Sequence, residues 1–256
     1  MNNEKYTPPY DVSDMIVNLI AQISEQVGVV SIKNEGASNI PKLRKDNQIR
    51  SIHASLAIEN NTLSLAQVTD VINGKKVLGH PKEIREVKNA YDAYTLLASL
   101  DPYDVGDMLR AHKVLMADLS NEEGRFRSGG VGVFAGERLI HMAPPARLVP
   151  THIQNLIDWV KNANAHPLIK SCVFHYEFEF IHPFDDGNGR MGRMWQTLIL
   201  SRWKELFMWL PVEDLVRERQ QEYYDALASS DKAANSTVFI EFMLHVIRDS
   251  LCDYTC

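Results

Sequence analysis

His182, Asp186, Arg190 and Arg193 fall within one twelve-residue run, His182-Pro183-Phe184-Asp185-Asp186-Gly187-Asn188-Gly189-Arg190-Met191-Gly192-Arg193. Glycines on either side of Asn188 tolerate positive φ. Gly187, Asn188 and Gly189 can therefore aim successive backbone N–H groups at one point and form an anion nest. The turn opens a predicted helix, whose N-terminal dipole also favours an anion. Arg190 and Arg193 are three apart and share a helical face, so their two guanidinium forks suit a polyphosphate. Asp186 would repel bare phosphate, but Mg²⁺ between them turns repulsion into attraction. His182 titrates near neutrality and can take the proton of an attacking hydroxyl.

Each feature also has a plainer reading as a turn, a solvated pair of arginines or a structural histidine, and convergence alone does not name a reaction. Two competing patterns overlap the run. Gly187-x-Gly189-x-x-Gly192 matches the dinucleotide fingerprint, and Phe174, Tyr176, Phe178 and Phe180 alternate with His175, Glu177 and Glu179 as in a preceding strand. Against it, His-Pro-Phe-Asp-Asp intervenes, and the chain lacks alternating βαβ units. His175, Glu179 and His182 share a face if their segment is helical, as a zinc site would require. A buried His175 satisfied by hydrogen bonds is the preferred reading.

The surrounding elements read mostly as helices. Tyr6 to Tyr10 is extended, because its prolines fix φ. Helical spacing follows over Val12 to Val30, Ile49 to Asn60, Ser64 to Asn73, Glu83 to Leu100 and Val105 to Leu119. Gly124 to Pro145 differs, with apolar runs Val131 to Phe134 and Leu139 to Met142 separated by Ala135-Gly136-Glu137-Arg138. That pattern predicts a hairpin, ended by Pro144, Pro145 and Pro150. Helices resume over Thr151 to Asn164, Leu168 to Phe180, Met191 to Leu206, Glu213 to Ser229 and Thr237 to Leu251.

The chain of 256 residues fits one domain with a sizeable core. Its net charge of −6 argues against a broad nucleic-acid or membrane footprint. The first apolar stretch, Met15 to Val30, is too polar to span a membrane and lacks a signal-peptide layout. Three cysteines, Cys172, Cys252 and Cys256, make no disulfide framework and suit a reducing cytoplasm.

The loop resembles the signature of the Fic family, HPFx[D/E]GNGRxxR, with every defined position filled. Tyr6 to Tyr10, Gly124-Arg125-Phe126-Arg127, the hairpin, Pro144-Pro145 and Tyr223-Tyr224 follow in the family's order, so the similarity covers nearly the whole chain. The resemblance implies an all-α helical bundle with a small β-hairpin flap. It implies one domain over 1–256, with N-terminal helices over 1–110 and a core over 111–256 whose flap spans about 124–145. It further implies transfer of AMP from Mg·ATP to a Ser, Thr or Tyr hydroxyl of a protein. His182 would be the general base and Asp186 the Mg²⁺ ligand. Gly187, Asn188 and Gly189 would cradle the α- and β-phosphates, Arg190 would meet the β-phosphate and Arg193 the γ-phosphate, with Met191 and Gly192 in the same nucleotide-binding stretch. Phe184 would anchor the loop from within the core. Val131, Gly132, Val133 and Phe134 would pair with an extended target segment and brush the nucleotide. Tyr223 and Asp231 would contribute to the adenine pocket.

Ser55-Leu56-Ala57-Ile58-Glu59-Asn60 resembles the family's inhibitory motif [S/T]xxxE[G/N]. Ser55 and Glu59 share a helical face, and a carboxylate delivered to Arg193 would form a charge-assisted pair where ATP's γ-phosphate belongs. A homodimer controlling this brake fits the resemblance. One rival reading is an enzyme that removes AMP, with Glu59 activating water; another is a nucleotide-binding interaction module without catalysis.

Overall fold

The computed structural model describes residues 6–34, 40–135 and 138–255. Side chains at 32–41, 133–141 and 254–256 lie outside the description, as do residues 136 and 137 of the hairpin turn and the C-terminal Cys256.

Ile16, Leu19, Ile23, Val27 and Val30 form a stripe with helical spacing, and each is buried in α1 (Asp14–Asn34). The stripe lies along α11 (Thr237–Thr255), which buries Phe239, Ile240, Met243, Leu244, Ile247 and Leu251. The first and last helices thus share one core. The extended segment before α1 is tied down at the start of α11. Ser236 N–H donates to the Pro9 carbonyl at 3.0 Å, and Asp11 N–H donates to Thr237 Oγ1 at 2.8 Å.

The remaining helices, in chain order, are α2 (Ile40–Ile58), α3 (Leu65–Ile72), α4 (Pro81–Leu96), α5 (Val105–Leu115), α6 (Val149–Asn162), α7 (Pro167–Ile181), α8 (Asn188–Trp203), α9 (Val212–Glu218) and α10 (Gln220–Ala233). Strands β1 (Gly132–Ala135) and β2 (Arg138–Met142) form an antiparallel hairpin, with Val133 opposite His141 and an irregularity between Val133 and Phe134. The fold is all-α with a small hairpin, as the sequence implies.

Several boundaries differ from the sequence reading. α2 starts nine residues before Ile49, through a polar stretch with no amphipathic stripe. Its first turns are held by packing instead: the Arg44 guanidinium lies 5.3 Å from the Trp209 ring, and Asn47 is buried. α2 ends at Ile58, so Glu59 and Asn60 form its capping turn. Asn60 N–H reaches the Ala57 carbonyl and Asn61 N–H the Leu56 carbonyl, the Schellman pattern, with Asn60 left-handed at φ 69°. α5 stops at Leu115 rather than Leu119, and Asp118 is left-handed. The single helix expected over Glu213 to Ser229 is two, broken at Arg219, which carries no glycine or proline to announce it. Ala135 and Arg138 belong to the strands, and Pro150 opens α6 rather than ending the hairpin.

The aromatic alternation before the glycine loop proves helical. In α7 Phe174, Tyr176, Phe178, His175, Glu177 and Glu179 are all buried. A helix enclosed on every side shows no amphipathic period, and alternation there carries no strand signal.

Candidate active site

α7 and α8 pack side by side, and the loop between them carries the twelve-residue run. α7 ends at His182, left-handed at φ 48° and ψ 63°. α8 begins earlier than its apolar pattern suggests, at Asn188, with Gly187 as its N-cap at φ 86°. Of the two glycines flanking Asn188, only Gly187 uses positive φ; Gly189 already sits in the first helical turn. A Cβ at Gly187 would also meet Met116 Sδ at 2.7 Å.

Three buried side chains hold this loop. Asn188 brackets Phe184, its Oδ1 accepting from Phe184 N–H at 2.9 Å and its Nδ2 donating to the Phe184 carbonyl at 2.8 Å. His112 stacks on the Phe184 ring with centroids 3.6 Å apart. Its Nδ1 accepts from Gly124 N–H at 2.9 Å, so Nε2 carries the proton and donates to the Asp186 carbonyl at 3.0 Å. Burial pushes its pKa down to about 4, in keeping with this neutral tautomer. Arg127 donates to the carbonyls of Gly129, Pro144, Ile181 and His182, at 2.8, 2.6, 3.2 and 2.7 Å. The same residue's N–H donates to the Pro183 carbonyl at 2.9 Å. The sequence reading named Arg127 only as part of a family segment and did not find His112. Their partners in the loop lie tens of residues away, so spacing carries no signal of either role.

His182 Nδ1 lies 3.2 Å from the Glu179 carbonyl, an obligate acceptor. Nδ1 therefore bears the proton and Nε2 the lone pair. The buried Glu179 carboxylate sits 4.0 Å from His182 Nδ1 and 4.0 Å from His175 Nε2. His175 is satisfied as expected. Its Nδ1 lies 2.6 Å from Gln196 Oε1 and its Nε2 3.0 Å from the Tyr223 hydroxyl, and burial drives its pKa to about 3.

Asp186, like its neighbour Asp185, is exposed, its side chain 53% accessible. Oδ1 accepts from Gly187 N–H at 2.6 Å and from Arg190 at 3.1 Å, while Oδ2 makes no hydrogen bond among the described residues. Arg190 Nε is buried without a partner. A carboxylate oxygen on the surface beside an incompletely paired guanidinium fits a divalent cation bridging to phosphate.

Arg193 is enclosed, with 3% of its side chain exposed. Its Nη2 donates to Glu59 Oε1 at 2.8 Å and to the Ser55 carbonyl at 3.0 Å, and its Nε donates to Ser55 Oγ at 3.1 Å. Burial alone would lower its pKa, but Glu59, Tyr223 and Glu179 together outweigh this and hold the guanidinium above its ordinary value. A Cβ at Gly189 would run into Glu59 Oε1. The carboxylate therefore rests on the bare first turn of α8, beside the dipole's positive end. At Gly192 a Cβ would meet Glu179 Oε1 at 2.6 Å, so that glycine lets α7 and α8 approach.

Loop, Arg193 and α2 turn come together, and Tyr223 is near enough to act electrostatically on Arg193 and Glu59. Tyr223 is 2% exposed and enclosed by His175, Phe239 and Phe242, away from any open surface in this conformation. Its neighbour Tyr224 is only partly buried and accepts from Gln220 at 3.2 Å. Asp231 accepts from Tyr176 at 2.9 Å, in a cluster with Glu177 and Tyr6. Val131 and Gly132 are half-buried; for Val133 and Phe134 the described feature is their backbone pairing with β2.

Comparison with known proteins settles the lineage. A model of the Fic/DOC family matches residues 100–200. A crystal structure of a Fic family protein from Desulfovibrio desulfuricans G20 is 56% identical and superposes with a TM-score of 0.95, covering 98% of this chain and 77% of that one. The chain belongs to the Fic family. Among curated relatives, the protein adenylyltransferase Fic of Drosophila willistoni is 25% identical over 219 residues, 81% of this chain and 42% of its own length. Protein adenylyltransferase fic-1 of Caenorhabditis elegans is 27% identical over 199 residues, 73% of this chain and 37% of its own. This Fic chain thus spans less than half the length of those relatives. A solved segment of Caenorhabditis elegans Fic-1, 21% identical with a TM-score of 0.77, shares the fold.

Proposed function

We propose that the chain transfers AMP from ATP to a hydroxyl of a protein and that Glu59 restrains the transfer. One observation carries this reading: the Glu59 carboxylate lies on the Arg193 guanidinium and against Gly189, at the first turn of the helix that follows the loop. An anion rests where the sequence provides for a phosphate.

In the transfer, His182 Nε2 accepts the proton of the target hydroxyl. The freed oxygen attacks the α-phosphorus, the bond to the bridging oxygen of the β-phosphate breaks, and pyrophosphate leaves. Gly187, Asn188 and Gly189 present backbone N–H groups to the phosphates, Arg190 takes the β-phosphate, and Arg193 takes the γ-phosphate once Glu59 has withdrawn. Asp186 Oδ2 would hold Mg²⁺, whose charge offsets that of the phosphate oxygens. With β2 on one side, β1 has no second neighbour among the described residues, and an extended target segment can pair there. No helix among the described residues is long and apolar enough to cross a membrane.

Labelling with α-phosphate-labelled ATP tests the proposal. Glu59→Gly is expected to raise incorporation roughly tenfold or more, and Glu59→Gly with His182→Ala to abolish it. Equal labelling in both variants would remove His182 from its role. Release of AMP from a modified protein by wild type, but not by Glu59→Gly, would instead make Glu59 the activator of water.

A further inference from the structure

Glu213 is a buried carboxylate that the transfer as described does not use. It lies on α9, 3% exposed, with α2, α4 and α8 supplying its polar neighbours. The Tyr94 hydroxyl of α4 donates to Glu213 Oε1 at 3.0 Å, Thr197 Oγ1 of α8 lies 3.4 Å from the same oxygen, and Ser51 of α2 acts on the carboxylate electrostatically. Glu213 Oε2 is buried without a hydrogen-bond partner. It faces a cavity of about 10 Å³ whose polar lining is Arg193, Gln196, Thr197 and Glu213.

A chain of polar groups links this carboxylate to the site. Arg193 Nε donates to Ser55 Oγ at 3.1 Å, Ser55 interacts electrostatically with the neighbouring Tyr94 hydroxyl, and Tyr94 donates to Glu213. Every member is buried. A buried guanidinium needs an anion, since its desolvation goes uncompensated otherwise. Glu59 and Glu179 are such anions, but Glu59 is 38% exposed and is the group that must leave before a phosphate can enter.

We propose that Glu213 is a permanent counter-anion of Arg193 and its positioning residue, acting through Ser55 and Tyr94. It holds the guanidinium in place for the γ-phosphate while Glu59 is withdrawn. Burial pushes the Glu213 pKa up, while the donors around it and the charge of Arg193 pull it back. Ser55, the first residue of the inhibitory motif, thereby gains a second role, linking Arg193 to an anion that stays. The inference rests on the proposed role of Arg193 toward ATP, so the test includes a readout that needs no catalysis.

The experiment is a thermal double-mutant cycle on the full chain: wild type, Glu59→Gly, Glu213→Gln and the pair, each with and without inorganic triphosphate. With Glu59 or Glu213 present beside Glu179, Arg193 stays better compensated than with both removed. Glu213→Gln is expected to lower Tm by roughly 4 °C more in the Glu59→Gly background than in the wild type. Triphosphate should raise the Tm of the double variant more than that of wild type. Equal losses in both backgrounds would overturn the proposal, leaving Glu213 as packing alone. If Glu213→Gln does not fold, Tyr94→Phe, which keeps the carboxylate and cuts the chain, carries the same cycle with a smaller coupling. In the Glu59→Gly background, Glu213→Gln should also raise the KM for ATP about fivefold with kcat little changed. A fall in kcat at constant KM would count against positioning. Absence of all transfer by Glu59→Gly would sink the proposed function, and the thermal cycle would still decide the tie between Arg193 and Glu213.

Discussion

Two of the helices that end in a left-handed residue carry at that end a side chain proposed to act. α7 is capped by His182, with φ 48°. α2 stops at Ile58, and Glu59 and then Asn60, with φ 69°, form its cap. The first end is fixed from outside by Arg127, His112 and Asn188, all buried and bonded to the loop backbone. The second is capped by the helix's own bonds, with Gln220 donating to the Ile58 carbonyl and Arg193 to the Ser55 carbonyl, and its acidic side chain hydrogen-bonds the Arg193 guanidinium. Left-handed conformation costs a non-glycine residue about 1 kcal/mol or more. At His182 external bonds offset that cost; at Asn60 the residue type reduces it. On the proposed mechanism, the base is built into the core, whereas the carboxylate that must withdraw is tied by its ion pair with Arg193.

The largest effect should come from the rigid end. Arg127→Ala strips the partner from several carbonyls at once and is expected to cost about 3 kcal/mol, lowering Tm by roughly 6–12 °C. A loss under about 2 °C in a calorimetric scan would show that the loop holds itself.

His112 gives a comparable effect confined to acid. Its folded pKa of about 4 lies below the usual 6.5, so the folded state favours the neutral ring. Its contribution to stability is complete above pH 6.5 and is lost as pH falls from 6.5 to about 4, where the unfolded chain takes up the proton first. The shift corresponds to about 3 kcal/mol by the bottom of that window. Wild-type Tm should therefore fall steeply there, and His112→Asn should flatten the slope. Parallel curves would assign the acid loss to other groups.

At the releasable end the effects shrink. Glu59→Gly, for all its expected gain in labelling, should lower Tm by less than about 3 °C, because the ion pair is partly solvated. Smallest is Asn60→Ala, expected to cost about 1 kcal/mol through its positive φ and to raise basal labelling by loosening the cap. Unchanged stability there would mean that the cap does not depend on its residue type.

What the sequence disclosed follows the same division. The run from His182 to Arg193 carries its chemistry in residue type and spacing, and the structure gathers those groups around one helix start. Fully enclosed α7 hid behind a false strand period, because enclosure on all sides erases the amphipathic signal. The start of α2 was hidden too, since packing on Trp209 rather than an apolar stripe makes it helical. Arg127 meets His182 across 55 positions, His112 meets Asp186 across 74, and Glu213 meets Tyr94 across 119. Local patterns hold no record of such pairs. Tyr223 marks the opposite limit: a residue matched to a family position lies inside the core, held by His175.

On the proposed mechanism, the missing side chain at 189 makes one patch of backbone the seat of both the Glu59 carboxylate and the incoming phosphate. A methyl there would evict the carboxylate of Glu59, but it would crowd an incoming phosphate in the same place. No enlargement at that position can unlock the enzyme without also disabling it. Liberation has to arrive from the other side of the cleft, by drawing away the last turn of α2.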